Sequence, residues 1–139
     1  MTMRRCNDTI TVFNAKLDRA LGSDVYHPTV ISGVSWYFHT LTNVGNSGLQ
    51  AANQLTLRIP ADADFAGKAY VSPAEFAASE DPAGVFTIKA GDIVVRGRVM
   101  EEGLRPSDLQ GRGYEMATIL GVTDNRDAAH APHWRVVGK

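Results

Sequence analysis

The chain of 139 residues has one cysteine, Cys6, so no disulfide can form within it, and the stapled scaffolds of small secreted proteins are excluded. It also lacks any apolar run near the ~20 residues that a helix needs to cross a bilayer. Neither sign of charge is in excess: 14 Lys plus Arg stand against 15 Asp plus Glu, for a net charge of -1. No global field therefore draws the protein onto nucleic acid or an anionic membrane. The opening MTMRRCNDTITVFN has Arg4 and Arg5 but turns polar where a signal peptide needs its apolar stretch, which makes manufacture in a reducing cytoplasm the expectation. Repeats, low-complexity linkers and blocks of like charge are missing too. What is plentiful is apolar material, 44% of the chain, enough for one core in one domain over residues 1–139.

Patterning points to strands. Thr9 to Asn14 (TITVFN) alternates polar and apolar, and Val25 to His39 is β-branched and aromatic, with Pro28 suited to an edge and Gly33 to a bulge or a close backbone approach. Leu55, Leu57 and Ile59 alternate with Gln54, Thr56 and Arg58, the pattern of a half-buried strand. Ser72, Pro73 and Glu75 form the start signal of a short helix over about 72–79. Val85 to Ile88 and Ile93 to Val99, joined through Lys89-Ala-Gly-Asp92, suggest a hairpin. Glu101 to Arg112 reads as polar and broken, while Ala117 to Val122 and Trp134 to Val137 supply the final strands. Trp134, Val136 and Val137 form the expected closing strand. The fold class is mainly β: a small β-barrel or rolled antiparallel sheet of six to seven short strands with one short helix.

Residues that could carry chemistry are few and scattered. His130 and His133 stand three apart near Asp124 and Asp127, but Pro132 between them denies the helical spacing that would place both imidazoles on one face. His27 and His39 flank an aromatic strand and read as packed or interfacial. No serine occupies a nucleophile elbow, and Cys6 lacks an ordered electropositive pocket. The glycines of Gly45-Asn-Ser-Gly48 and Gly111-Arg-Gly113 match no phosphate-binding loop. Asp62/Asp64 and Glu101/Glu102 read as solvated turn charges. The expectation is a protein without catalytic residues, metal or cofactor.

One absence is positional. From Val25 to Leu57, 33 residues contain no Asp, Glu, Lys or Arg. Two buried strands account for part of this, but His39 to Gln54 is too polar and glycine-rich for a core. It reads as a long uncharged loop over 39–54 that serves a subunit interface or lines a channel, where neutrality suits close packing and would not retain passing DNA phosphates. The residues singled out for that role are His39, Asn43, Gly45, Asn46, Gly48, Gln50 and Asn53.

Four patches, Gly33 to Tyr37 (GVSWY), Ile59 to Pro73 (IPADADFAGKAYVSP), Ala90 to Gly97 (AGDIVVRG), and Thr123 to Arg126 (TDNR) with His133 to Lys139 (HWRVVGK), together resemble short structural proteins of tailed phages and prophages. The group is of the head-closure or head-tail joining type. The resemblance implies a non-enzymatic virion protein of the neck, a small β-barrel forming a homo-oligomeric ring between the portal or adaptor and the tail. It implies manufacture in the bacterial host cytoplasm, no membrane partner, and DNA only passing through a channel. Alternatives are another virion role (tail completion, tail tube or capsid-associated protein), or a small metal-dependent hydrolase or ligand-binding module using His130 and His133.

Overall fold

The computed structural model describes residues 8–18, 20, 22–45, 48–79, 84–99, 106–127, 129 and 132–139. Its elements in chain order are β1 (Asp8–Asp18), β2 (Ser23–Gly45), β3 (Gly48–Pro60), β4 (Ala69–Tyr70), α1 (Pro73–Ala78), β5 (Val85–Phe86), β6 (Ile93–Arg96), α2 (Pro106–Gly111), β7 (Met116–Asn125) and β8 (His133–Gly138). Six strands close into an antiparallel barrel in the order β1-β2-β3-β8-β7-β6, with β6 returning to pair with β1. The mainly β, rolled architecture expected from the alternating segments is what the chain adopts.

Closure depends on two strands that change partners. Residues Ser23 to Val34 of β2 pair with β1, and Ser35 to Gly45 pair with β3. The change falls at Gly33: Asp8 lies opposite Val34 and Thr9 opposite Ser32, leaving Gly33 as an unmatched residue at φ +88°. This is the bulge that its glycine suggested, and it bends the strand where the sheet turns its corner. On the opposite side, β7 pairs with β6 up to Thr118 and with β8 from Ile119, and its register slips across Leu120. Pro28 lies before the bend. There β1 is the strand partner of β2, and the proline carbonyl accepts a 2.7 Å bond from Lys68 Nζ.

Alternation fills the interior. Ile10, Val12, Leu55, Leu57, Ile59, Val94 and Val136 are fully buried, and Trp134 is nearly so. β6 is apolar on both faces, because Ile93 and Val95 point outward into a second cluster with Phe13, Val99 and Leu109 of α2. The described residues between β3 and β6 plug the barrel with Phe65, Tyr70, Phe86 and Ile88. The Tyr70 ring lies 4.8 Å from that of Trp134, Phe65 lies 5.0 Å from Phe86, and Phe65 meets Trp134 edge-on at 6.0 Å. Arg126 covers this stack, 4.8 Å above Tyr70 and 5.0 Å above Trp134. Asp124 fixes the guanidinium through bonds of 2.9 Å from Nε and 2.7 Å from Nη2, a bidentate arrangement that holds the Asp124 carboxyl below its ordinary pKa.

Several expectations are corrected. Residues 39–45 and 48–54 are strand rather than loop: His39 pairs with Gln54, Thr40 with Asn53, Asn43 with Gln50 and Gly45 with Gly48. Thr40, Thr42 and Val44 favour strands, and the glycines that suggested a loop, Gly45 and Gly48, are themselves partners in the ladder. The strands are not all short, since β2 runs 23 residues. Among the described residues there are two helices instead of one, because Pro106 opens a turn of helix whose Leu109 has a cluster to cover. The expected hairpin through Lys89-Ala-Gly-Asp92 does not form: β5 pairs in parallel with β4, and β6 pairs with β1 and β7. Helix α1 begins with its expected cap, Ser72 Oγ accepting from Glu75 N, and its C-cap is Ser79, within the span expected for it.

Two substitutions test this account by urea denaturation. Trp134→Ala should destabilise the fold by about 3 to 5 kcal/mol through loss of the plug. Gly33→Val should cost about 1 to 3 kcal/mol, because a β-branched residue resists positive φ.

Candidate functional site

The segment singled out for its neutrality becomes a two-stranded arm. β8 pairs with β3 only as far as Leu55, and β1 pairs with β2 only as far as Val34. Beyond these limits β2 and β3 pair only with each other among the described residues, and His39, Asn43, Gly45, Gly48, Gln50 and Asn53 are all in the arm's ladder. Asn46 lies outside the described residues. Both outer edges of the arm, from Tyr37 to Gly45 on β2 and from Gly48 to Gln54 on β3, have no strand neighbour among the described residues. Such edges are commonly protected by lysine, proline or inward charge. These stretches contain no lysine, proline or charged residue.

At the arm's base, Trp36 and Phe38 of β2 line a cleft of about 360 Å³ together with Tyr114, Glu115 and Met116. Phe38 is 46% exposed, whereas Trp36 is buried and its indole N–H has no acceptor among the described residues. The cleft's rim is tied by charge. Arg96 donates to Asp8 Oδ1 at 3.2 Å and Glu115 Oε2 at 3.3 Å, and Asp8 Oδ2 accepts the Trp36 backbone N–H at 3.3 Å. Glu115, and after it Asp8, hold the Arg96 guanidinium above its ordinary pKa. The two Arg96 bonds are solvent-exposed, so they orient the rim and add little stability.

The predicted closing strand, β8, lies between β3 and β7. Trp134 and Val136 point inward, while Val137 is half-buried on the other face. Of the two histidines considered as metal ligands, His130 is outside the described residues. His133 opens β8 with Nε2 3.5 Å from Asn125 Nδ2. Among the described residues no three His, Cys, Asp or Glu side chains converge on a common point.

Sequence reasoning missed the most buried polar group. Asp92 and Asn14 are both fully buried. Asn14 Nδ2 donates to Asp92 Oδ2 at 2.8 Å and to the Thr87 carbonyl at 2.7 Å, while Asn14 Oδ1 accepts the Thr87 N–H at 3.2 Å. Asp92 Oδ1 accepts from the Ala15 N–H and from Lys89 Nζ. A lone asparagine in the apolar alternation of TITVFN was the available signal, since an inward amide needs a partner. The cluster ties the 87–92 segment to β1 and so helps close the barrel. Burial pushes the Asp92 carboxyl above its ordinary pKa, against the opposing pull of Lys89, Asn14 and Ala15.

The geometry defines a class, a closed six-stranded antiparallel β-barrel with a projecting, uncharged, two-stranded arm. Within that class the chain belongs to DUF6751, a family of unknown function whose model matches residues 5–139. No curated protein and no solved structure matches it.

The raised pKa of Asp92 fixes a sign. The folded state holds this proton more tightly than the unfolded state, so the group's contribution to stability is greatest in acid and declines as pH rises through its folded-state pKa. Asp92→Ala should destabilise the protein by about 1 to 3 kcal/mol, because the Ala15 N–H loses its acceptor. In chemical denaturation across pH, the gap between wild type and variant should narrow from acid toward neutrality. A gap that widens would contradict this assignment.

Proposed function

We propose that the chain is a structural subunit of a tailed-phage particle, a ring-forming neck component that docks between the portal or adaptor and the tail. One observation carries this reading, the uncharged arm with two open edges. A two-stranded ribbon standing alone in water is marginally stable, and its edge groups are ready to pair with another strand. Each copy offers one β2 edge and one β3 edge. Pairing the first with the second of a neighbour is head-to-tail, and such contacts close into rings when the rotation permits. Neutrality allows copies to approach without repulsion and, where the arms face a channel, offers no cation to retain DNA.

The resemblance of the four sequence patches to neck proteins of tailed phages supplies the position in the particle, manufacture in the host cytoplasm and the virion as destination. No helix among the described residues is long and apolar enough to cross a membrane, in keeping with this reading. It needs neither cofactor nor catalytic residue, because the work is shape and docking.

The test replaces residues 41–52, between the ladder partners Thr40 and Asn53, with a two-residue Asn-Gly turn and follows mass by native mass spectrometry over a concentration series. The full chain should assemble into a closed oligomer of fixed number, and the shortened chain should remain a folded monomer with an unchanged barrel by circular dichroism. Assembly unaffected by the shortening would remove the arm from the interface, and a wild type monomeric at all concentrations and with purified portal and tail proteins would defeat the proposal.

A further inference from the structure

Apart from the arm, the outer face of the sheet formed by β2, β3, β8 and β7 carries an arrangement that nothing within the described barrel satisfies. Arg58 of β3 and Arg135 of β8 are direct partners across the ladder. Both are exposed and face outward, because Leu57, Ile59, Trp134 and Val136 beside them point into the core. Like charges directly opposite on adjacent strands are destabilising. Their row runs Ser35, Arg58, Arg135, Thr123 across the four strands. The row on one side is Tyr37, Thr56, Val137 and Gly121, and on the other Pro60, His133 and Asn125. None is acidic. Among the described residues neither guanidinium makes an ion pair, hydrogen bond or ring contact, whereas Lys89, Arg96 and Arg126 each meet a carboxylate.

We propose that this face docks an acidic segment of a partner protein, with carboxylates held by the Arg58–Arg135 pair and apolar side chains resting on Tyr37 and Val137. Guanidinium forks match carboxylates bidentately, and two adjacent forks without a counter-ion complement an anion delivered from outside. Tyr37 is 60% exposed one row away, and tyrosine beside arginine is the composition of an interface hot spot. A polynucleotide would call for a longer basic track. In a chain of net charge -1, these rows hold two arginines and one histidine. The inference is independent of ring formation and of the particle.

The test uses the full chain with two fluorescent synthetic peptides, one rich in Glu and Leu and the other its Gln counterpart, followed by fluorescence anisotropy at low salt. Wild type should bind the Glu peptide and not the Gln peptide, and inorganic phosphate should displace it. Arg58→Gln and Arg135→Gln should each weaken binding by about tenfold or more while leaving the circular dichroism spectrum unchanged. No binding of the Glu peptide, or equal binding by all three proteins, overturns the proposal. Tighter, arginine-dependent binding of a single-stranded oligonucleotide overturns it as well, by assigning the face to phosphates.

Discussion

The positive backbone angle at Gly33 lets one strand belong to two sheets, and the barrel depends on that sharing. Before Gly33, β2 lies beside β1; after it, β2 lies beside β3. An unbent strand would carry both partners onward in one open sheet, leaving β6 without its place on β1. The slip at Leu120 in β7 performs the matching bend on the far side. Two irregularities therefore turn a meander into a closed surface, and everything that projects from it takes its direction from them.

The interior is held differently in different parts. The aromatic plug of Phe65, Tyr70, Phe86 and Trp134 is apolar, covered by an arginine held in place by Asp124. The link between β1 and the segment before β6 is polar, the amide of Asn14 acting like an extra residue of strand toward Thr87 while Asp92 gathers the remaining donors. Apolar packing is tolerant of small shifts, whereas a buried carboxylate demands its partners in place. The polar link thus specifies where the 87–92 segment sits, and the plug joins the aliphatic side chains of the strands in one apolar core.

Much of this was legible in the sequence, for physical reasons that vary by residue. Alternation in NQLTLRI marked a half-buried strand because side chains change face at every residue, whereas β1 is buried on both faces from Ile10 to Asn14. Gly33 was legible as a bulge because few other residues accept its angle, and Ser72 as a cap because the spacing to Glu75 is local. The arm was misread because its threonines, asparagines and glycines satisfy the composition of a loop equally well, and only the register of β2 against β3 decides. The partner of Asn14 lies in the segment before β6, and the pairing of Arg58 with Arg135 joins strands far apart in the chain. No local pattern encodes such meetings, so the cleft beneath Trp36 and the arginine pair emerge only once the sheet is ordered.

The contact that closes the barrel, Ile10 of β1 beside Arg96 of β6, has more than half of the chain between its partners. The β1-β2-β3 meander, by contrast, joins neighbours in sequence. Loop-closure entropy therefore orders assembly in time: the meander can form early, and the seam between β1 and β6 is sealed late. Until then β1 exposes a free edge bearing Val12 and Phe13, and the arm exposes two more. Folding at high concentration consequently sets intramolecular closure in competition with strand exchange between chains, and dilution favours the native route.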